Sequence, residues 1–228
     1  MNADRAALQQ HVGEAAGRRT DVDRDLSGDV ESERVERARQ LVAAARDVLR
    51  TRVDVGSSTG GFTDVLLQRG ALRVHAIDVG KGQLDWTLRQ DPRVIVHEGV
   101  NAREGVPVEE PVDIVVADVS FISLRLALPP SLAKVRDGGD VVALVKPQFE
   151  AGRDAVGKGG VVRDPTARAA AVVAIARDLE SRGFGVLAVT PSPIAGREGN
   201  REIFVHARKG APPIEEAALA EAARGASA

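Results

Sequence analysis

A chain of 228 residues has room for one large domain, or for a domain plus a tail. Its 43% apolar and 28% charged residues are the balance of an ordinary soluble globular protein, and a net charge of −2 excludes a global basic field, so any nucleic-acid contact must be a local patch. The lack of cysteine excludes disulfides and thiolate chemistry; with no secretory signal and no apolar run long enough to span a bilayer, a cytoplasmic protein without a membrane partner is expected.

Residues 1–33 are polar and charged with little periodicity, bury too little to offset chain entropy, and predict a loosely ordered tail. Within them Asp21, Asp23 and Asp25 alternate as at the start of a calcium loop. Leu26 stands where that loop requires glycine and Ser32 where it requires glutamate, so calcium is not expected. No other metal is expected either, because His11, His75, His97 and His206 show no ligand spacing. From Val35 a stripe of Ala38, Leu41, Val42, Ala45, Val48 and Leu49 predicts a helix that covers one face of a sheet.

Strand and helix signals then alternate. Residues 52–55 read as a first strand, 56–61 as a glycine-rich turn and 62–68 as a helix. A second strand is predicted at 74–78, a helical turn or two at 82–89 around Trp86, and a third strand at 94–97. A fourth strand follows at 113–118, a helix at 124–135 and a fifth strand at 140–146; the apolar runs of these two strands predict burial on both faces. The helix predicted at 165–182 has Asp164 to cap it and Pro165 at its first position. Strands at 186–189 and 202–207 complete the pattern, and an Ala- and Glu-rich segment after Pro212-Pro213 reads as a loose terminal helix. The alternation predicts an α/β protein with a doubly wound, mostly parallel seven-stranded sheet over 34–210, followed by a tail at 211–228.

The turn between the first strand and its helix is the most informative stretch. Glycines there let backbone N–H groups approach a ligand closely. The spacing of Gly56, Gly60 and Gly61 fits neither the dinucleotide fingerprint nor a P-loop, since no Gly-Lys-Ser/Thr follows. Asp54 precedes the turn, and Asp78 ends the next strand about 20 residues on, where a carboxylate can take both ribose hydroxyls. An acid at each end suits a ligand with a cationic amino acid part and a neutral ribose, which S-adenosylmethionine satisfies without a phosphate. Asp54, Asp78, Asp118 and Lys146 all end strands of a parallel sheet, where ligands sit, and Glu202 joins them if the last strand runs antiparallel.

Several strings together resemble one family. Residues 54–62 (DVGSSTGGF), 78–84 (DVGKGQL), 117–123 (ADVSFIS), 145–150 (VKPQFE), 159–164 (GGVVRD) and 199–202 (GNRE) are similar to the TlyA (haemolysin A) family, with the likeness running from about Val53 to Lys209. The resemblance implies a Rossmann-like FtsJ-type domain that uses S-adenosylmethionine to methylate a ribose 2′-hydroxyl of ribosomal RNA. It implies cofactor contacts at Asp54, Gly56, Ser57, Ser58, Thr59, Gly60, Gly61, Phe62, Asp78, Val79, Asn101 and Asp118. The family's Lys-Asp-Lys-Glu tetrad maps its aspartate to Asp118, its second lysine to Lys146 and its glutamate to Glu202. In that arrangement Lys146 either stabilises a developing alkoxide as a cation or takes the proton as a base, Asp118 orients Lys146 or the methionine amino group, and Glu202 holds the lysine.

Two departures stand out. Gln40 occupies the position expected for the first lysine, with no lysine before Lys81, and the first 50 residues are too short and acidic for the family's S4-type RNA-binding domain. A catalytically impaired cofactor- or RNA-binding relative and a small-molecule O-methyltransferase therefore stand as alternatives. RNA contacts are expected from Arg153, Lys158 and Arg163 in a glycine-containing loop and from Arg197, with Arg125 and Arg201 nearby. With no tyrosine and 3% aromatics, base stacking is not expected as the main grip, and Phe121, Phe149 and Trp86 are expected in the core or the cofactor pocket.

Overall fold

The computed structural model describes residues 51–196 and 199–227. The expected tail, the helix from Val35 with Gln40, and Arg197 lie outside the described residues.

Seven strands form one sheet in the order β3-β2-β1-β4-β5-β7-β6. They are β1 (Thr51–Val55), β2 (Arg73–Asp78), β3 (Val94–Glu98), β4 (Val112–Ala117), β5 (Val135–Val145), β6 (Phe184–Ala195) and β7 (Arg201–Lys209). Neighbours from β3 to β5 pair in parallel, and β7 runs antiparallel to both β5 and β6. The sheet is doubly wound and mostly parallel, as the alternation predicts. Strand order reverses between β1 and β4, and the crevice at such a switch point is where open sheets of this kind bind ligands.

All six residues of β4 are buried, because apolar clusters cover both faces of the sheet. Val115 and Ala117 face one cluster while Ile114 and Val116 face the other, the period of two that a strand imposes. The first cluster includes residues of α6 (Pro165–Ser181) and α7 (Glu216–Ser227), and the second Phe62, Leu66 and Leu67 of α1 (Gly61–Gln68). Arg52 of β1 is buried beneath α1. Its guanidinium donates to the carbonyls of Leu66 at 2.7 Å and Arg69 at 2.8 Å, at the end of that helix. Strand and helix are thereby pinned on either side of the glycine turn.

Three elements differ from the sequence-based expectation. The helix predicted at 124–135 is two single turns, α3 (Leu124–Ala127) and α4 (Pro129–Leu132), and Val135 already belongs to β5, opposite Val112. Pro129 and Pro130 lack the N–H groups a continuous helix would need. The helix around Trp86 starts later than expected, as α2 (Trp86–Gln90), where the Asp85 side chain accepts from the Thr87 N–H. Strand β6 runs far beyond 186–189 through Pro191 and Pro193; it is an edge strand, where missing donors are tolerated. By contrast Asp164 caps α6 at the predicted position and accepts from the Thr166 N–H at 2.9 Å.

The segment after Pro212-Pro213 forms α7, with Leu219, Ala223 and Ala226 buried against α6 and β6. Buried Arg168 of α6 donates to the Ser227 carbonyl at its far end. Leu219 is 1% exposed, so Leu219→Ala should destabilise the fold by about 2–4 kcal/mol in urea unfolding. A loss below about 0.5 kcal/mol would mean that this helix is loosely attached.

Candidate active site

The site is built where β1, β2, β4 and β5 end side by side. Gly56 leaves β1 with φ +80, and its N–H and that of Ser57 both donate to the Ile77 carbonyl of β2, at 2.8 and 3.1 Å. A Cβ at Gly56 would lie 2.3 Å from the Asp118 carbonyl oxygen, so only glycine lets the turn pass this close to the end of β4. Gly60 has φ +104, and a Cβ there would collide with Leu88 at 2.3 Å and Leu84 at 2.8 Å. The turn is thus a backbone cradle shaped by missing side chains. Gly61 opens α1, the Phe62 side chain packs into the core, and Ser58 and Thr59 are exposed at the tip.

Asp54 is fully buried beneath this turn. Its Oδ2 accepts the Thr63 hydroxyl at 2.7 Å, while its Oδ1 has no hydrogen-bond partner. Burial pushes its carboxyl up to about 7, with the Asp118 and Asp78 charges adding to the rise. Asp78 faces the loop directly: one oxygen accepts the Ser58 N–H at 2.8 Å and the other the Gly80 N–H at 2.7 Å. Val79 beside it is exposed. Asn101 lies on the adjoining loop after β3, held by Glu104, and that loop is tied back through the Val100 N–H to the Asp78 carbonyl.

Lys146 follows β5 and is only 8% exposed. Its ammonium lies 2.6 Å from Asp118 Oδ1 and donates to Ser120 Oγ at 2.9 Å. Glu202 is 3% exposed near the start of antiparallel β7. The pairing Val145↔Ile203, carried on by one residue, sets Lys146 opposite Glu202. Two acids and one lysine from distant stretches therefore gather at the rim beside the glycine cradle. Glu202 also lines a cavity of about 400 Å³ with Pro191, Ile194, Arg201 and Ala226.

Arg153, Lys158 and Arg163 are exposed on the loop between β5 and α6, as are Arg125 and Arg201. Asn200 braces that loop, accepting the Val162 N–H at 3.1 Å and donating to the Gly160 carbonyl at 3.0 Å. Phe121 and Trp86, expected in the core or pocket, are instead 91% and 70% exposed. They sit on segments that leave the sheet at its open end, where little packs over them. Ser120, Thr63 and Asn200 escaped the sequence reading, although each stands inside or next to one of the quoted strings. No group of three or more His, Asp or Glu among the described residues is placed to hold a metal ion, and no helix there is long and apolar enough to cross a membrane.

A family model for FtsJ-like methyltransferases matches residues 35–209. The chain belongs to the FtsJ-like methyltransferase family. Within that family its relatives are those of the TlyA (haemolysin A) group. It is 52% identical over 161 residues to the 16S/23S rRNA (cytidine-2′-O)-methyltransferase TlyA of Mycobacterium tuberculosis, covering 70% of this chain and 60% of that protein. It is 37% identical over 157 residues to the 23S rRNA (cytidine-2′-O)-methyltransferase TlyA of Campylobacter jejuni, covering 68% of this chain and 60% of that one. A crystal structure from Lactococcus lactis that carries the hemolysin name superposes with a TM-score of 0.76 at 40% identity, covering 86% of this chain and 96% of that one. The chain thus spans about three-fifths of the length of these curated relatives. The fold alone recurs in the N-methyltransferase NodS of Bradyrhizobium japonicum, solved with S-adenosyl-L-homocysteine, at a TM-score of 0.55 and 16% identity, covering 77% of this chain and 87% of that one.

The buried acid of this FtsJ-like domain has a pH signature. Asp54 holds its proton up to about 7 when folded and releases it near 3.9 when unfolded, so its contribution to stability is intact below pH 4 and is lost as pH rises towards 7. Asp54→Asn should flatten that part of the stability profile and raise stability at pH 8 by on the order of 1–3 kcal/mol. Urea unfolding at pH 5 and pH 8 measures it, and an unchanged slope would show that Asp54 titrates normally.

Proposed function

We propose that this chain transfers a methyl group from S-adenosylmethionine to a ribose 2′-hydroxyl of ribosomal RNA. The observation that carries the proposal is the Lys146 ammonium, almost buried, paired with Asp118 at 2.6 Å and set opposite Glu202 beside the glycine cradle. The names of the relatives, which act on cytidine 2′-oxygens of 16S and 23S rRNA, support the same substrate class. The proposed catalytic unit is 34–210.

The residues present fit the cofactor. Glycine at 56 and 60 lets the turn fold directly against the Asp118 carbonyl and the Leu84 and Leu88 side chains, which leaves a backbone-lined loop for a ligand, and Asp54 Oδ1 is a buried acceptor without a hydrogen-bond partner. Gly56, Ser57, Ser58, Thr59, Gly60 and Gly61 would hold it from one side, with Asp78, Val79 and Asn101 at the ribose and adenine end. Asp78 holds two backbone N–H groups and still has lone pairs for hydroxyls. When bound, the cofactor supplies a methyl group already activated on a sulfonium.

The chain's task is then to place and prepare the acceptor. A neutral 2′-hydroxyl is a weak nucleophile, and its oxygen gains negative charge as its proton passes to water at the open rim. Lys146, almost buried, stabilises that charge by a fixed ammonium cation needing no rearrangement. The ammonium has three N–H groups, which can serve Asp118, Ser120 and one further oxygen. Asp118 and Glu202 balance its charge and fix its direction. Exposed Phe121, held at φ +64 beside this group, offers an aromatic face to the acceptor nucleoside, while Arg153, Lys158 and Arg163 supply phosphate contacts.

Transfer of labelled methyl to purified ribosomal subunits tests the reading. Label is expected with the wild type and should fall by at least about a hundredfold in Lys146→Ala, with cofactor binding kept. Equal label with the variant would remove Lys146 from the chemistry. One residue favours a second reading, a relative that binds without transfer: Gln40 stands at the first lysine of the family tetrad. An inactive wild type that gains transfer in Gln40→Lys would establish it.

A further inference from the structure

Two loops meet at the rim, one after β4 and one after β5, and three rungs join them. Lys146 reaches Asp118 and Ser120. Phe149 lies against Phe121, with ring centroids 5.3 Å apart. Glu150 then accepts the Ser123 hydroxyl at 2.6 Å on one oxygen and the Leu124 N–H at 2.7 Å on the other. Each step outward from the sheet on one loop meets a step outward on the other. Only the outermost rung has no share in the chemistry described above.

That rung holds parts that cannot hold themselves. The turn carrying Glu150, α5 (Pro147–Glu150), and the turn α3 beginning at Leu124 have four residues each, too short to be stable alone. Phe121 between them has φ +64, a conformation costly for a bulky side chain unless its neighbours impose it. Ser123 does double duty: its hydroxyl donates to Glu150 and accepts the Arg125 N–H at 3.2 Å, capping α3. Glu150 is partly buried, and that burial raises its carboxyl above the ordinary range, a cost that a merely solubilising surface acid would avoid.

We infer that Glu150 and Ser123 are positioning residues that clamp the loop after β4 onto the loop after β5 and thereby fix the Lys146 ammonium against Asp118 and Ser120. The inference rests on the reading of Lys146 as the group that acts on the acceptor. The glycine cradle is held separately, through the Ile77 carbonyl and the Asp78 carboxylate, so the clamp governs the rate of transfer and leaves cofactor affinity alone.

The chain has only five lysines, Lys81, Lys134, Lys146, Lys158 and Lys209, which makes a direct readout practical. In the full chain labelled with [13Cε]lysine, the Lys146 signal is assigned by its loss in Lys146→Arg. Glu150→Ala and Ser123→Ala should each move the Lys146 signal and leave those of Lys81 and Lys209 in place. Transfer to ribosomal subunits should show kcat lowered about tenfold to a hundredfold, with the cofactor Kd changed less than about twofold. Glu150→Gln keeps one acceptor oxygen and should recover part of the rate. An unmoved Lys146 signal, or rate and cofactor affinity falling together with the melting temperature, would overturn the clamp. Should Glu150→Ala fail to fold, Ser123→Ala and Glu150→Gln carry the same test. If the wild type transfers no methyl, the functional reading fails, and the Lys146 signal still decides whether the clamp exists.

Discussion

The close approach of Gly56 to the Asp118 carbonyl is the constraint on which the site depends. Parallel strands bring the ends of β1 and β4 together, and at that point no room is left for a methyl group. The turn that follows β1 is therefore fixed against the residue that pairs with Lys146. Hydrogen bonds finish the arrangement: the Asp118 N–H donates to the Val55 carbonyl at 3.0 Å, and Gly56 and Ser57 share the Ile77 carbonyl. The glycine turn and the Lys146–Asp118 pair thus meet at one backbone contact.

Electrostatics sets the second condition. Asp54, Asp78 and Asp118 end three adjacent strands, so their charges repel within a poorly hydrated crevice. Asp78 is steadied by two backbone N–H groups and Asp118 by the Lys146 ammonium. Asp54 is wholly buried with the Thr63 hydroxyl as a donor, and that burial pushes its carboxyl up to about 7. A cationic group entering this crevice meets a surplus of acid, whereas an anionic one would not be welcome. The sulfonium and amino group of the proposed cofactor match that preference.

Much of this was legible in the sequence because the relevant signals are local. The runs at β4 and β5 announce doubly buried strands, and glycines with flanking acids announce the turn. Pairings across the sheet are another matter. The prolines at 129 and 130 sit in a stripe of Leu and Ala that reads as helical, and Pro191 and Pro193 lie beyond the strand expected at 186–189, because the place of β6 at the edge is a property of the whole sheet. Trp86 and Phe121 carry the most buriable side chains, yet they stand in solvent because the open end of the sheet offers nothing to cover them. Ser120 was visible in the ADVSFIS string, but its service to Lys146 needs a partner 26 residues away.

The placement of β7 reaches beyond the finished molecule. This late strand slots between β5 and β6, and it delivers Glu202 to a lysine encoded well before it. A nascent chain can form the cradle half of the sheet early, but β5 keeps a naked hydrogen-bonding edge until residues 201–209 have emerged. Any product cut short before that point would carry an adhesive, apolar border prone to self-association. Emergence of β7 is thus itself the event that covers the β5 edge and brings Glu202 opposite Lys146.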